Sequence, residues 1–153
     1  MSADNSRILP LGLAVSAGGL LVSQLFDNLT KATPATSLWL LFSKYRRYAG
    51  WIEAQARHES NNYQSDVFIR SNNPFGMKNA YKRKQLGKQV EGDPYRHYES
   101  IGEAIRDYLL YLDFVNFPRN ITTIDSFAMA LKDRGYFEDN ETNYINGLKF
   151  WQV

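Results

Sequence analysis

The 153-residue chain has room for one domain of ordinary size and a short appendage. Its 44% hydrophobic and 22% charged residues exclude a disordered chain, and the absence of cysteine excludes disulfides and thiolate metal sites. A net charge of +2 gives no footprint for nucleic acid, but residues 1–92 hold twelve Lys/Arg against six Asp/Glu while 93–153 hold six against ten, so the basic half suits a polyanion such as a cell wall or a phospholipid surface.

The first element is an uncharged run of nineteen residues, Ile8 to Phe26, bounded by Arg7 and Asp27. As a helix it is roughly 28 Å long, close to the ~30 Å of a bilayer core. Glycine and serine dilute its leucines, and small residues four apart (Gly12/Ser16, Ala14/Gly18) permit close helix approach. Residues 1–27 therefore read as a hydrophobic helix and membrane anchor, with a cleaved secretory signal or a buried helix as the alternatives. Asn28–Thr36 reads as a linker, and 37–153 as the folded domain.

Ser37 is placed to cap a helix running from Leu38 to about His58. Trp39, Phe42, Tyr45, Ala49, Ile52 and Ala56 recur at three- and four-residue steps, as one buried face does. Residues 61–95 are basic and rich in breakers (Asn72-Asn73-Pro74, Gly92-Asp93-Pro94), which predicts short extended pieces rather than helices. Lys82, Arg83, Lys84 and Lys88 form a basic strip, read as a solvated loop or as a contact for an anionic polymer or lipid. Ser100, with Glu103 three residues on, forms a capping box for a helix from Ile101 to about Val115, with Ile105, Leu109 and Leu112 as its apolar stripe. Further helices are predicted over about Ile124–Arg134, ending at Gly135, and Thr142–Phe150. Helix, irregular lobe, then several helices is the organisation of an α+β protein, mainly α.

Aromatics make up 14% of the chain, with ten Tyr and nine Phe, enough to fill a core or to line a carbohydrate groove. His58 and His97 have neither the spacing nor the acid cluster of a metal site, so no metal and no cofactor are expected. Glu59 stands where an apolar helix meets a polar turn. A carboxyl held partly out of water there has a raised pKa and can deliver a proton to a poor leaving oxygen.

The run Ala54-Gln55-Ala56-Arg57-His58-Glu59-Ser60, followed by Asn72-Asn73-Pro74-Phe75-Gly76-Met77-Lys78, resembles the family 73 glycoside hydrolases, the peptidoglycan N-acetylglucosaminidases. That group includes autolysins, phage lysins and the flagellar rod-associated wall hydrolase. The resemblance continues through Tyr95-Arg96-His97-Tyr98-Glu99-Ser100, with Glu103 and Asp107, to Gly135-Tyr136-Phe137-Glu138-Asp139, with Tyr144 and Leu148. It implies a lysozyme-like fold, a helical lobe and a small β-lobe with a glycan chain between them. It assigns Glu59 as general acid and Tyr136 as a cleft tyrosine important for activity. Asn73, Phe75, Gly76, Lys78, Tyr98 and Tyr144 are assigned to substrate binding.

Glycosidases ordinarily pair two carboxylates, about 5–5.5 Å apart for retention and about 6.5–9.5 Å for inversion. The stretch from Lys78 to Tyr95 is short for the family and offers only Glu91 and Asp93. Glu91 is the expected second acid, and Asp66 the lesser option. The family's commoner Glu-Ser-Gly-Trp-Gly is replaced by Glu59-Ser60-Asn61-Asn62-Tyr63. The aromatic shifts by one and both glycines are gone, so the family pattern does not carry over Asn61–Ser65.

The resemblance implies a peptidoglycan hydrolase cleaving after N-acetylglucosamine. With residues 8–26 as anchor, it is expected at a membrane, in a bacterial envelope or in a phage particle with an internal membrane. The alternatives are a muramidase or lytic transglycosylase of the same fold, and a structural or assembly protein that binds peptidoglycan without cutting it. No sequence feature specifies an oligomeric state.

Overall fold

The structure, a computed structural model, describes residues 33–152. The hydrophobic run and the helix expected there lie outside the described residues. Among the described residues no helix is long and apolar enough to cross a membrane. The domain is mainly helical, with one two-stranded sheet.

Its centre is α2, Ala49–Glu59, which follows α1, Leu38–Leu41, and a 3-10 turn, Arg46–Tyr48. The single helix expected over Leu38–His58 is therefore two. The break is local chemistry: the Ser43 hydroxyl donates to the Leu40 carbonyl at 2.8 Å, and its oxygen accepts from the Tyr45 amide at 3.0 Å, drawing both groups out of a helical ladder. The break also turns Phe42 outward, 80% exposed, where the periodicity placed it in the core. Ser37 precedes α1 but makes no side-chain cap bond.

Downstream of the break α2 is buried on nearly every side, through Ile52, Glu53, Ala54, Gln55 and Ala56. Its main partner is α6, Glu141–Trp151. The two approach closely because Gly147 lies against the His58 ring; a Cβ at Gly147 would come within 2.2 Å of that ring. Helix α4, Ile101–Phe114, buries Ile105 and Leu112 as its stripe predicts, and α5, Ile124–Lys132, packs on α6. Ser100, Thr123 and Asn140 cap α4, α5 and α6 through their side chains.

Residues 61–95 contain a helix where only extended pieces were expected: α3, Asp66–Ser71. Ser65 caps it by accepting the Phe68 amide, and Asn72 ends it in a left-handed conformation. The remaining chain forms the small lobe. Its strands β1, Lys88–Gln89, and β2, Arg96–His97, pair antiparallel with Lys88 opposite His97, and Lys78 bridges to Tyr95.

This lobe is tied to α4 by one buried carboxylate. Asp107 accepts both Arg83 guanidinium nitrogens at 2.9 Å, the Leu86 amide at 2.9 Å and the Tyr98 hydroxyl at 2.7 Å. Burying a charge is costly unless it is fully partnered, and here four donors surround it. Arg83 is thus a buried structural cation, not part of a solvated basic strip. Glu103 strengthens the tie by accepting the amides of Gly87 and Glu99. Its capping box with Ser100 is shifted by one residue, since the carboxylate reaches the Glu99 amide.

Candidate active site

A cleft of about 790 Å³ runs between the lobes and reaches Glu59. Glu59 is the last residue of α2 and half-buried. Its Oε1 accepts the Tyr144 hydroxyl at 2.7 Å. Its Oε2 faces the backbone of Gly76, where an added Cβ would stand 3.9 Å away. Gly76 also has φ +59°, a left-handed conformation that glycine adopts without strain. Burial pushes the Glu59 carboxyl above its ordinary pKa, and the Tyr144 hydrogen bond pulls it partly back. Desolvation wins, so the environment favours the protonated carboxyl.

The supports of Glu59 come from α6 and the segment before it. Tyr144 is buried, stacked on Phe137 with centroids 3.7 Å apart, and meets the His58 ring edge-on at 5.1 Å. Burial lowers the pKa of His58, against the pull of Asp139, which disfavours a second charge beside the acid. Tyr136 lines the cleft, but its hydroxyl donates to the Phe75 carbonyl at 2.6 Å, so it clamps the cleft floor.

Behind the acid the backbone takes an unusual course. Asn61, Asn62 and Tyr63 have φ of 49°, 54° and 64°. Three successive left-handed residues without glycine cost roughly 1–2 kcal/mol each, less for Asn than for a bulky side chain. The chain therefore turns left-handed here without either glycine of the commoner pattern.

The structure brings Glu59, Phe75, Gly76, Lys78 and Tyr136 to the cleft wall. Tyr144 lies behind it, on the acid. Asn73 is buried beneath: its amide donates to the carbonyls of Met77 at 2.8 Å and Arg96 at 3.0 Å, and its oxygen accepts the Met77 amide at 2.9 Å. It shapes the turn that presents Gly76. Tyr98 is 4% exposed with its hydroxyl on Asp107, so its place is in the tie between lobes and not on the cleft. Glu91 sits exposed in the turn after β1, outside the cleft lining, and Asp66 opens α3, also outside it.

The carboxylate that does share the cleft with Glu59 is Glu138. It lies within the Gly135–Asp139 motif, which was the one available signal for it. Tyr81 and Phe114, exposed at 90% and 53%, line the same cleft and had no sequence signal beyond being aromatic. Among the described residues no group of three or more His, Asp or Glu side chains is arranged to hold a metal ion.

Residues 36–150 match the glucosaminidase family, described as mannosyl-glycoprotein endo-beta-N-acetylglucosaminidase. No curated protein and no solved structure gives a significant match. An acid at a helix end, partly desolvated and opening on an interlobe cleft, is what glycoside cleavage asks of a protein, and the matched span contains every residue of that site. The chain belongs to the glucosaminidase family and is a glycoside hydrolase acting on peptidoglycan.

Proposed function

We propose that this protein is an endo-β-N-acetylglucosaminidase that cuts the glycan strand after N-acetylglucosamine, with Glu59 as general acid. The observation that carries the reading is the environment of Glu59: a cleft-facing carboxyl whose pKa is raised by burial and whose position is set by Tyr144 and Gly76. Glu59 protonates the leaving glycosidic oxygen as the bond breaks. Glu138, in the same cleft, serves as the second carboxylate in place of Glu91. Tyr81 and Phe114 offer apolar ring faces to sugar rings.

Zymography on wall-containing gels, with Glu59→Gln alongside wild type, tests the acid. Clearing by both proteins alike rules Glu59 out. Mass spectrometry of the released muropeptides tests the bond. A reducing-end N-acetylglucosamine supports the proposal, whereas an anhydro-muramic product points to a lytic transglycosylase and a reducing-end muramic acid to a muramidase. Absence of clearing by both proteins, with retained binding to sacculi, favours a binding protein.

The uncharged run from Ile8 to Phe26 supports a further reading, a membrane tether at a bacterial envelope or inside a phage particle. Flotation with liposomes, comparing the full chain with one beginning near Asn28, tests it. A full chain that stays at the bottom of the gradient overturns the tether.

A further inference from the structure

On the helix that ends in Glu59, a buried carboxylate is bound to the strained turn. Glu53 is 4% exposed and lies on α2. Its Oε1 accepts the Tyr63 hydroxyl at 2.9 Å and the Arg57 Nε at 2.7 Å, and its Oε2 accepts the Ala35 amide at 3.2 Å. Arg57 reaches on to Asn62 Oδ1 at 3.3 Å, and the Asn62 amide donates to the Arg57 carbonyl at 2.7 Å. Side-chain bonds from α2 thus hold two of the three left-handed residues. Burial and the Glu53 charge keep the Tyr63 phenol protonated, so it remains a donor throughout the working pH range.

The same turn is fastened to the residue next to the acid. Ser60 Oγ donates to the Ala56 carbonyl at 2.6 Å and accepts the Tyr63 amide at 2.8 Å, while the Ser60 carbonyl takes the amides of Gln64 and Ser65. Ser65 and Val67, just beyond, line the cleft. A turn that relaxed out of the left-handed region would move Ser60, and with it the end of α2 that carries Glu59.

We propose that Tyr63, acting through Glu53 and Arg57, is a positioning residue that holds the Asn61–Tyr63 turn in its left-handed course and thereby fixes Glu59 at the cleft. The tie replaces the conformational ease that glycine would give those positions. The catalytic consequence rests on Glu59 being the acid, as proposed above; the positional one does not.

The test uses the full chain. Tyr63→Phe removes the hydroxyl and leaves the ring on Phe68, which it meets at 5.3 Å. Two readouts are taken: kcat and KM on solubilised peptidoglycan, and the titration midpoint of the Glu59 side-chain carboxyl by 13C NMR. The expected result is a kcat lower by about tenfold with KM within twofold, the scale on which small misplacements of a catalytic group act. The Glu59 midpoint moves down toward the ordinary carboxylate value as the helix end opens to water. Adding Asn61→Gly and Asn62→Gly to Tyr63→Phe removes strain from the turn and restores kcat to within about threefold and the midpoint with it. An unchanged Glu59 midpoint in Tyr63→Phe overturns the proposal, as does a loss of activity that tracks thermal stability and is not rescued by the glycines. If wild type releases no sugar ends from any wall substrate, the glycosidase reading falls, while the Glu59 midpoint still decides the clamp.

Discussion

The two walls of the cleft are held by different physics. The helical wall carries Glu59 on α2 and supports it with packed rings: Tyr144 on Phe137, and Tyr136 against both Tyr108 and Tyr111. The small lobe has strands of two residues each, and its buried side chains Phe75, Met77 and Tyr98 join the core of the helices. Beyond that packing it is held by polar ties, Arg83 on Asp107 inside and Arg70 and the His97 ring hydrogen-bonded to Asp93 outside. A two-stranded hairpin is marginal alone, so such a lobe depends on its ties to the helices. One wall surrounds Glu59 with packed rings; the other depends more on its polar ties to the helices.

The helical wall is most exposed to test at Glu59. Glu59→Gln is expected to lower kcat by at least ~10³-fold, since the helical wall offers no substitute proton donor at that point. Its stability should move the other way. The pKa of Glu59 is raised in the folded protein, so the fold is favoured below the unfolded value and loses stability as pH rises through the folded value. Gln has no charge to desolvate. Thermal melts across pH should show the variant gaining on wild type toward neutral and alkaline pH, and a variant that melts lower throughout would assign Glu59 a structural role instead.

Asp107→Asn strikes the opposite wall. It removes the charge that Arg83 meets at 0% exposure of the carboxylate, and breaking a buried pair from one side costs about 3–5 kcal/mol. Urea unfolding measures this, and hydrogen exchange should locate the loosening in residues 83–98. A loss below about 1 kcal/mol would mean that the lobe is held by something other than this tie.

Glu138 and Glu91 sharpen the contrast, because both are exposed and only one lies in the cleft. Glu138→Gln is expected to lower kcat by ~10–100-fold, within the range for a positioned acid or base. Glu91→Gln should stay within about twofold, as a solvated surface change does. The reverse ranking, read from initial rates on the same wall preparation, would return the second acid to the β1 turn.

The two walls also differed in how far they could be read from residues alone. Helices α4, α5 and α6 were legible: Ser100 with Glu103 and an apolar stripe marked α4 and Gly135 marked the stop after α5, while the caps Thr123 and Asn140 went unread. Glu59, Gly76 and Tyr136 were legible through their motifs. The break in the first long helix was not, because a single serine bonding locally at Ser43 outweighed a regular apolar pattern. Nor was α3, whose six residues are too few to display a period. Tyr98 and Asn73 were assigned to substrate because a motif marks which positions matter without saying whether they face the sugar or hold the residue that does. The left-handed turn after the acid was hidden for a related reason: the glycines that advertise such a turn are absent, and a buried tie from Glu53 replaces them.

The smallest expected effect concerns one hydroxyl. Tyr144 donates to Glu59 Oε1 and so favours the ionised acid, against burial, which favours the protonated one. Tyr144→Phe keeps the ring on Phe137 and removes only the favourable bond to the charge. The pKa of Glu59 must then rise further, because burial acts unopposed. A general acid works while protonated, so the alkaline limb of kcat/KM should move to higher pH, by about one to two units for the loss of one charge-assisted hydrogen bond. The rate below that limb should fall only severalfold, through looser placement of the carboxyl. A limb that moves to lower pH would mean that the hydroxyl serves the protonated acid instead, accepting its proton, and that the helical wall sets the acid's strength through packing alone.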